Sequence, residues 1–265
     1  MSAVMGQDAA LSSELQIVFK KLYKPSAVTK LKALEELGHI LEEATAAVAA
    51  TESSQSPSGG SSNSSSEAAL AVCDLRDEET VGALLETFGQ LYPRLSTDPE
   101  RGIRERSSGV LCVLLGGACG AARRCLGRHI KAVLPAWLCA MSDPAREVAG
   151  RARAAFSALP PAGQARAVAA AQGEVAAFLK EGLARSLAGL VPLGHPQTRD
   201  DRTAVQDQID RTFPMDLGAL GTAARVLLAA PAPTQSQSQS QQKTAPKASA
   251  AKTSAKTQPQ AMVAA

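Results

Sequence analysis

Ser96-Thr97-Asp98-Pro99-Glu100-Arg101-Gly102-Ile103-Arg104 and Ser142-Asp143-Pro144-Ala145-Arg146-Glu147-Val148 are two versions of one turn. Each follows an apolar run at helical spacing, Val81 to Tyr92 in the first and Ile130 to Met141 in the second. Each then restarts the chain with Asp-Pro. An Asp side chain accepts from the free N–H groups of a helix start, and Pro at the first helical position lacks a donor that would go unused. The two aspartates lie 45 residues apart. A period of that size belongs to repeats made of two helices, which bury their apolar faces by stacking.

In both copies an apolar residue, Ile103 or Val148, stands five positions after the Asp, and Arg104 follows the first. Asp-x-x-x-x-Val/Ile-Arg is the HEAT spacing, and Arg104 occupies the position expected to bond between repeats. The expected fold is all-α, a HEAT/armadillo-like α-solenoid of about three to four helix pairs. Working outward, Ser13 is expected to cap a helix whose Leu15, Val18, Phe19 and Leu22 form one stripe. A second helix is expected from about Ala27 to Ala47. Residues 12–50 thus form a first pair, after a flexible leader at 1–11. Residues 51–67 are rich in Ser and Gly and are expected to be a disordered insert. The remaining repeats are placed at 68–230. Leu126, Ile130, Val133, Leu134, Trp137, Leu138 and Met141 make the longest stripe, with a kink expected at Pro135. Pro160-Pro161 should stop the next helix. One helix is expected from about Gln164 to Leu190, then two short ones at Val205–Phe213 and Leu217–Leu228. Residues 231–265, made largely of Gln, Ser, Ala, Lys, Thr and Pro, are expected to be a disordered tail.

Hydrophobic residues make up 45% of the 265, yet aromatics only 3%. Alanine favours helix and close helix approach. No run of eighteen apolar residues occurs and the N-terminus has no secretory signal, so no membrane span is expected and the cytosol is the expected location. Five irregularly spaced cysteines fit a reducing compartment. The net charge of +3 is segregated. Residues 1–93 carry 6 Lys/Arg against 13 Asp/Glu, residues 94–166 carry 12 against 5, and the last 35 carry four lysines and no acid. The basic middle could meet RNA or an acidic protein, or could be a solvated helix face.

Catalytic chemistry finds little footing. Cys119, Cys125, His129 and Cys139 are the nearest approach to a metal set, but their spacing lacks the paired ligands of a structural zinc site. Small buried thiols are the plainer explanation. A Cys–His nucleophile has no identifiable orienting group, and Gly116-Gly117-Ala118-Cys119-Gly120 lacks the Gly-Lys-Ser/Thr ending of a P-loop. No catalytic, cofactor-binding or metal-ligating residue is therefore expected. Lys30, Lys32, Arg123, Arg124 and Arg128 are candidates for partner binding, expected to be exposed, with Lys32–Glu36 pairing as the alternative for Lys32. Arg101, Arg104, Arg106 and Lys131 are further candidates for phosphate or acidic contacts.

Glu14-Leu15-Gln16-Ile17-Val18-Phe19-Lys20-Lys21-Leu22-Tyr23-Lys24, followed by Thr29-Lys30-Leu31-Lys32-Ala33-Leu34-Glu35-Glu36-Leu37, closely resembles the N-terminal signature of listerin. Tyr92-Pro93-Arg94-Leu95 through Ile103-Arg104-Glu105 is similar to the next part of that family's N-terminal domain. So are Val133-Leu134-Pro135-Ala136-Trp137-Leu138, Asp143-Pro144, Ala155-Phe156 and the Pro160-Pro161 stop. The resemblance covers roughly 13–47 and 78–185. Ser26 stands where the family usually has an acidic residue, and the Ser/Gly insert is not part of the pattern.

The listerin family are RING-type E3 ubiquitin ligases of ribosome-associated quality control. The resemblance implies docking on a large ribosomal subunit that still holds a peptidyl-tRNA, beside the factor that senses the tRNA. It implies that a distant zinc-binding RING recruits the E2 and ubiquitinates the stalled chain. No Cys-x-x-Cys pair occurs in this sequence, so no RING and no zinc are expected in it. The expectation is a non-catalytic, monomeric docking region. A generic HEAT adaptor unrelated to ubiquitin is the alternative, and a free-standing enzyme ranks last.

Overall fold

Ser12 opens the first helix by accepting from the Leu15 N–H on its side-chain oxygen, so the cap lies one residue ahead of the expected Ser13. The helix, α1 (Ser13–Leu22), buries the stripe Leu15, Val18, Phe19 and Leu22. In the computed structural model, residues 11–53, 73–116, 120–190 and 199–229 are described. They form α2 (Ala27–Ser53), α3 (Glu78–Leu95), α4 (Arg101–Gly116), α5 (Gly120–Ala140), α6 (Arg146–Ser157), α7 (Pro161–Ala170), α8 (Gln172–Leu190) and α9 (Arg199–Ala229). No described residue is in a strand. No described helix is long and apolar enough to cross a membrane. Residues 1–10, 54–72 and 230–265 lie outside the description, and with them most of the expected leader and insert and the whole tail. Two edges differ from expectation. Leu11 is buried in the core, and α2 continues through Ser53.

The helices form two layers. Helices α1, α3 and α5 pack in order in one, and α2, α4 and α6 in the other. That is the stacking of three helix pairs in an α-solenoid. A single apolar cluster runs through all three, from Leu15 and Leu34 by Phe88 and Ile103 to Trp137 and Phe156. Asp77 caps α3 by accepting from the N–H groups of Glu79 and Thr80. Gly89 of α3 lies under Val133 of α5 and lets those two helices approach closely. Trp137, fully buried, donates its indole N–H to the Ala152 carbonyl at 2.9 Å and meets Phe156 edge-on at 5.4 Å. α5 runs on through Pro135 as one helix.

The Asp-Pro turns behave differently from simple caps. α4 and α6 begin three residues after their aspartates, at Arg101 and Arg146. Asp98 and Asp143 instead accept from the N–H two residues on, at Glu100 (3.0 Å) and Ala145 (2.8 Å). That is an Asx-turn, which leaves capacity on each carboxylate for a cation from the preceding repeat.

Beyond α6 the order changes. α6 ends at Ser157, and Pro160 and Pro161 open α7 as its N-cap and first residue. The expected single helix over 164–190 is interrupted at Ala171, whose φ of −110° separates α7 from α8. The two expected short helices at 205–228 are one, α9, continuous through Pro214. Helix α9 returns across α5, α7 and α8.

Candidate docking surface

The first candidate cation, Lys30, is the fourth residue of α2, and its ammonium lies 2.7 Å from Asp98. Arg104 is the fourth residue of α4. Its guanidinium holds both oxygens of Asp143, Nε at 2.8 Å and Nη2 at 3.4 Å, while Nη1 donates back to the carbonyls of Asp98 and Pro99. Each repeat thus extends a cation to the Asp turn of the next. The fourth residue of α6 is Ala149, where the ladder ends. Arg104 and Asp143 are almost fully enclosed, and Lys30 is half-buried with most of Asp98 covered. Arg104 thus makes the bond between repeats that its motif position suggests. Lys30 was expected at the surface. It is instead drawn inward by a carboxylate 68 residues away.

Lys32 is exposed on α2. Its expected partner Glu36 takes Lys21 at 2.6 Å instead, because α1 lies against α2 there. Around this first pair, Ile17, Tyr23 and Val28 are exposed apolar side chains, and Lys20 and Lys24 are exposed near them in sequence. None of the three belongs to the buried stripe. Spacing alone therefore placed them outside, although their exposure as a group became evident only with the helices in place.

The basic middle is divided. Arg123, Arg124, Arg128 and Lys131 lie on α5, in one layer, while Arg101, Arg106, Arg146, Arg151 and Arg153 lie on α4 and α6, in the other. Many of these cations bridge neighbouring helices. Arg106 meets Glu35 at 2.7 Å, Arg151 meets Glu105 at 3.2 Å, and Arg101 meets Glu147 at 3.3 Å. On the other layer Arg124 meets Glu78 at 2.6 Å and Lys131 meets Glu174 at 3.0 Å. Arg123 donates to the Leu115 carbonyl in the last turn of α4. Arg128 projects from α5 into solvent. The structure therefore does not gather the five candidates into one patch. Between α2 and α4 runs an open groove of about 470 Å³ with Leu34 and Val110 in its wall and Gly38 and Gly109 at its edges.

Two of the thiols singled out in the sequence, Cys125 and Cys139, are buried in the stack. Cys125 is buried and donates to the Glu78 carbonyl at 3.5 Å, and Cys139 donates to Asp216 at 3.5 Å. Burial pushes the Cys139 thiol well above its ordinary pKa, which disfavours the nucleophilic thiolate. His129 is half-buried, and desolvation holds its pKa below the ordinary value. Among the described residues no three His, Cys, Asp or Glu side chains converge as metal ligands would. Cys119 lies outside them.

Comparison with known proteins bears on the same segments. Residues 67–203 match the family model of the N-terminal domain of the E3 ubiquitin-protein ligase listerin. The fruit-fly E3 ubiquitin-protein ligase listerin is 26% identical over 147 residues, 54% of this chain and 6% of that protein. The mouse listerin is 26% identical over 192 residues, 72% of this chain and 9% of its own length. The chicken listerin is 24% identical over 192 residues, again 72% of this chain and 9% of its own length. The chain therefore spans less than a tenth of the length of these curated relatives.

Proposed function

Because the chain belongs to the listerin N-terminal-domain family, we propose that it docks a listerin-type E3 ubiquitin ligase on stalled large ribosomal subunits. In this proposal ubiquitin transfer is the work of a RING outside these 265 residues, and the helices described here supply position. The match over residues 67–203 is the observation that carries the proposal. The two-layer stack supports it, because stacked pairs present a continuous face fixed by a shared core.

The first helix pair is the contact we favour. Exposed Ile17, Tyr23 and Val28 can bury apolar area against a protein, and Lys20, Lys24 and Lys32 offer charge to an acidic surface or to phosphates. On α5, Arg128 is a second cation open to solvent. We leave Lys30 off this surface, since its ammonium is engaged by Asp98.

Co-sedimentation with purified large subunits, with and without the tRNA-sensing factor, tests the proposal. Binding is expected in at least one condition, and Lys32→Glu and Arg128→Glu should weaken it without unfolding the stack. Binding that falls steeply with salt marks contact with rRNA phosphates, whereas weak salt dependence marks protein contact. Failure of the folded chain to bind in either condition would leave the generic HEAT adaptor. Autoubiquitination by the chain alone would overturn its non-catalytic role.

A further inference from the structure

We propose that α9 is a releasable latch, a helix that leaves the stack as one unit while α1 to α6 stay folded. Among the described residues, two buried side-chain polar atoms lack a hydrogen-bond partner, Arg211 Nε and Asp216 Oδ2, and both are on α9. Asp216 is only 5% exposed, and its other oxygen receives nothing stronger than the Cys139 thiol at 3.5 Å. Arg211 is charged and lies near the carboxylates of Asp98, Asp143 and Asp207, but also near the Arg104 guanidinium. Water would satisfy both orphan atoms on release, so their desolvation opposes docking.

The apolar return on docking is small. The buried stripe of α9 is Ile209, Met215, Ala219 and Ala223, two of them alanines. α5, by contrast, buries Ile130, Val133, Leu134, Trp137 and Leu138. A cavity of about 160 Å³ remains beneath α9, walled by Phe178 and Ser186 of α8 among others. Where that cavity lies, α9 has no side chain packed against α8. The outer face adds nothing to docking, since Phe213, Leu217, Leu220, Leu227 and Leu228 are exposed. Beside that stripe, α9 meets its neighbours closely at two glycines. A Cβ on Gly218 would collide with the Ser142 side chain, and one on Gly182 with the Asp216 carboxylate. Such contacts have little slack, so a small displacement forfeits them together.

Hydrogen exchange on the full 265-residue chain tests the latch. Amides of α9 should exchange through a local opening at least about tenfold faster than those of α3 and α5. Asp216→Leu and Arg211→Met each remove an orphan atom and should slow α9 exchange by about tenfold, leaving α3 unchanged. Gly218→Val should abolish protection in α9 while α3 to α6 keep theirs. Exchange in α9 as slow as in α5 would overturn the proposal. So would faster α9 exchange in Asp216→Leu, or loss of protection throughout the stack in Gly218→Val.

Discussion

Arg104 joins two repeats through one guanidinium, and its neighbours show how much depends on burial. Its side chain is 5% exposed and that of Asp143 is 0%. Arg104→Ala would strand a buried carboxylate, and a loss of about 3–5 kcal/mol is expected in urea unfolding. Removing both charges with Arg104→Met and Asp143→Leu should cost distinctly less, because no charge is left alone. Lys30→Glu, which sets a carboxylate against Asp98, should destabilise by roughly 1–3 kcal/mol. Lys32→Glu, two residues on, should stay within about 0.5 kcal/mol. Only Arg104 of these was legible as structural, because its role follows from a local motif. The Lys30–Asp98 contact spans 68 positions and depends on how α2 meets α4. No local spacing encodes that meeting.

At the level of elements, two glycines invite opposite outcomes. Gly89 sits where an added side chain would press on Val133, so Gly89→Leu should separate α3 from α5 at a cost of about 1–3 kcal/mol. Gly127 is exposed within α5 with open space around it, so Gly127→Ala should stabilise by roughly 0.5–1 kcal/mol. Thermal or urea unfolding distinguishes the two. Helix α9 adds a pH response. Burial holds the Asp216 carboxyl above its ordinary range, although the Cys139 thiol on α5 and the nearby Arg185 on α8 oppose this. A raised acid is docked most readily when protonated. Attachment of α9 should therefore be fullest below the ordinary carboxyl pKa and weaken as pH rises through the raised value. In Asp216→Asn that part of the pH dependence of α9 exchange should vanish. The stripes of α1, α3 and α5 could be read directly, since three or more large apolar residues mark each face. The boundary at Ala171 has only Gly173, already inside α8, to announce it. Pro214 lies in the break expected between Phe213 and Leu217, which packing against α5, α7 and α8 overrides.

For the molecule as a whole, the ladder adds buried charge pairs to repeats that otherwise meet through apolar contact and exposed ion pairs such as Arg106–Glu35 and Arg151–Glu105. Cutting one rung should uncouple one end. Asp98→Asn keeps the Asx-turn acceptor but removes the charge facing Lys30. Hydrogen exchange should then rise in α1 and α2 while α5 and α6 are unchanged. The candidate surface was less legible than the stack. Charge counts along the sequence show a basic middle, but helices alternate between layers, so the arginines divide between them and several find glutamates on the preceding helix of their own layer.

One such set of bonds reaches past the chain's own connectivity. Lys30–Asp98 and Arg106–Glu35 fasten α2 to α4, and the apolar faces of the first two pairs share one core, on either side of residues 54–72. The covalent link through those residues is then dispensable for holding the two parts together. A chain nicked at a protease site engineered there should elute as a single species under native conditions. Two separately made polypeptides, ending and beginning in that segment, should recombine into the same fold. The first helix pair would then act as an exchangeable cartridge, into which surface variants can be loaded without remaking the rest.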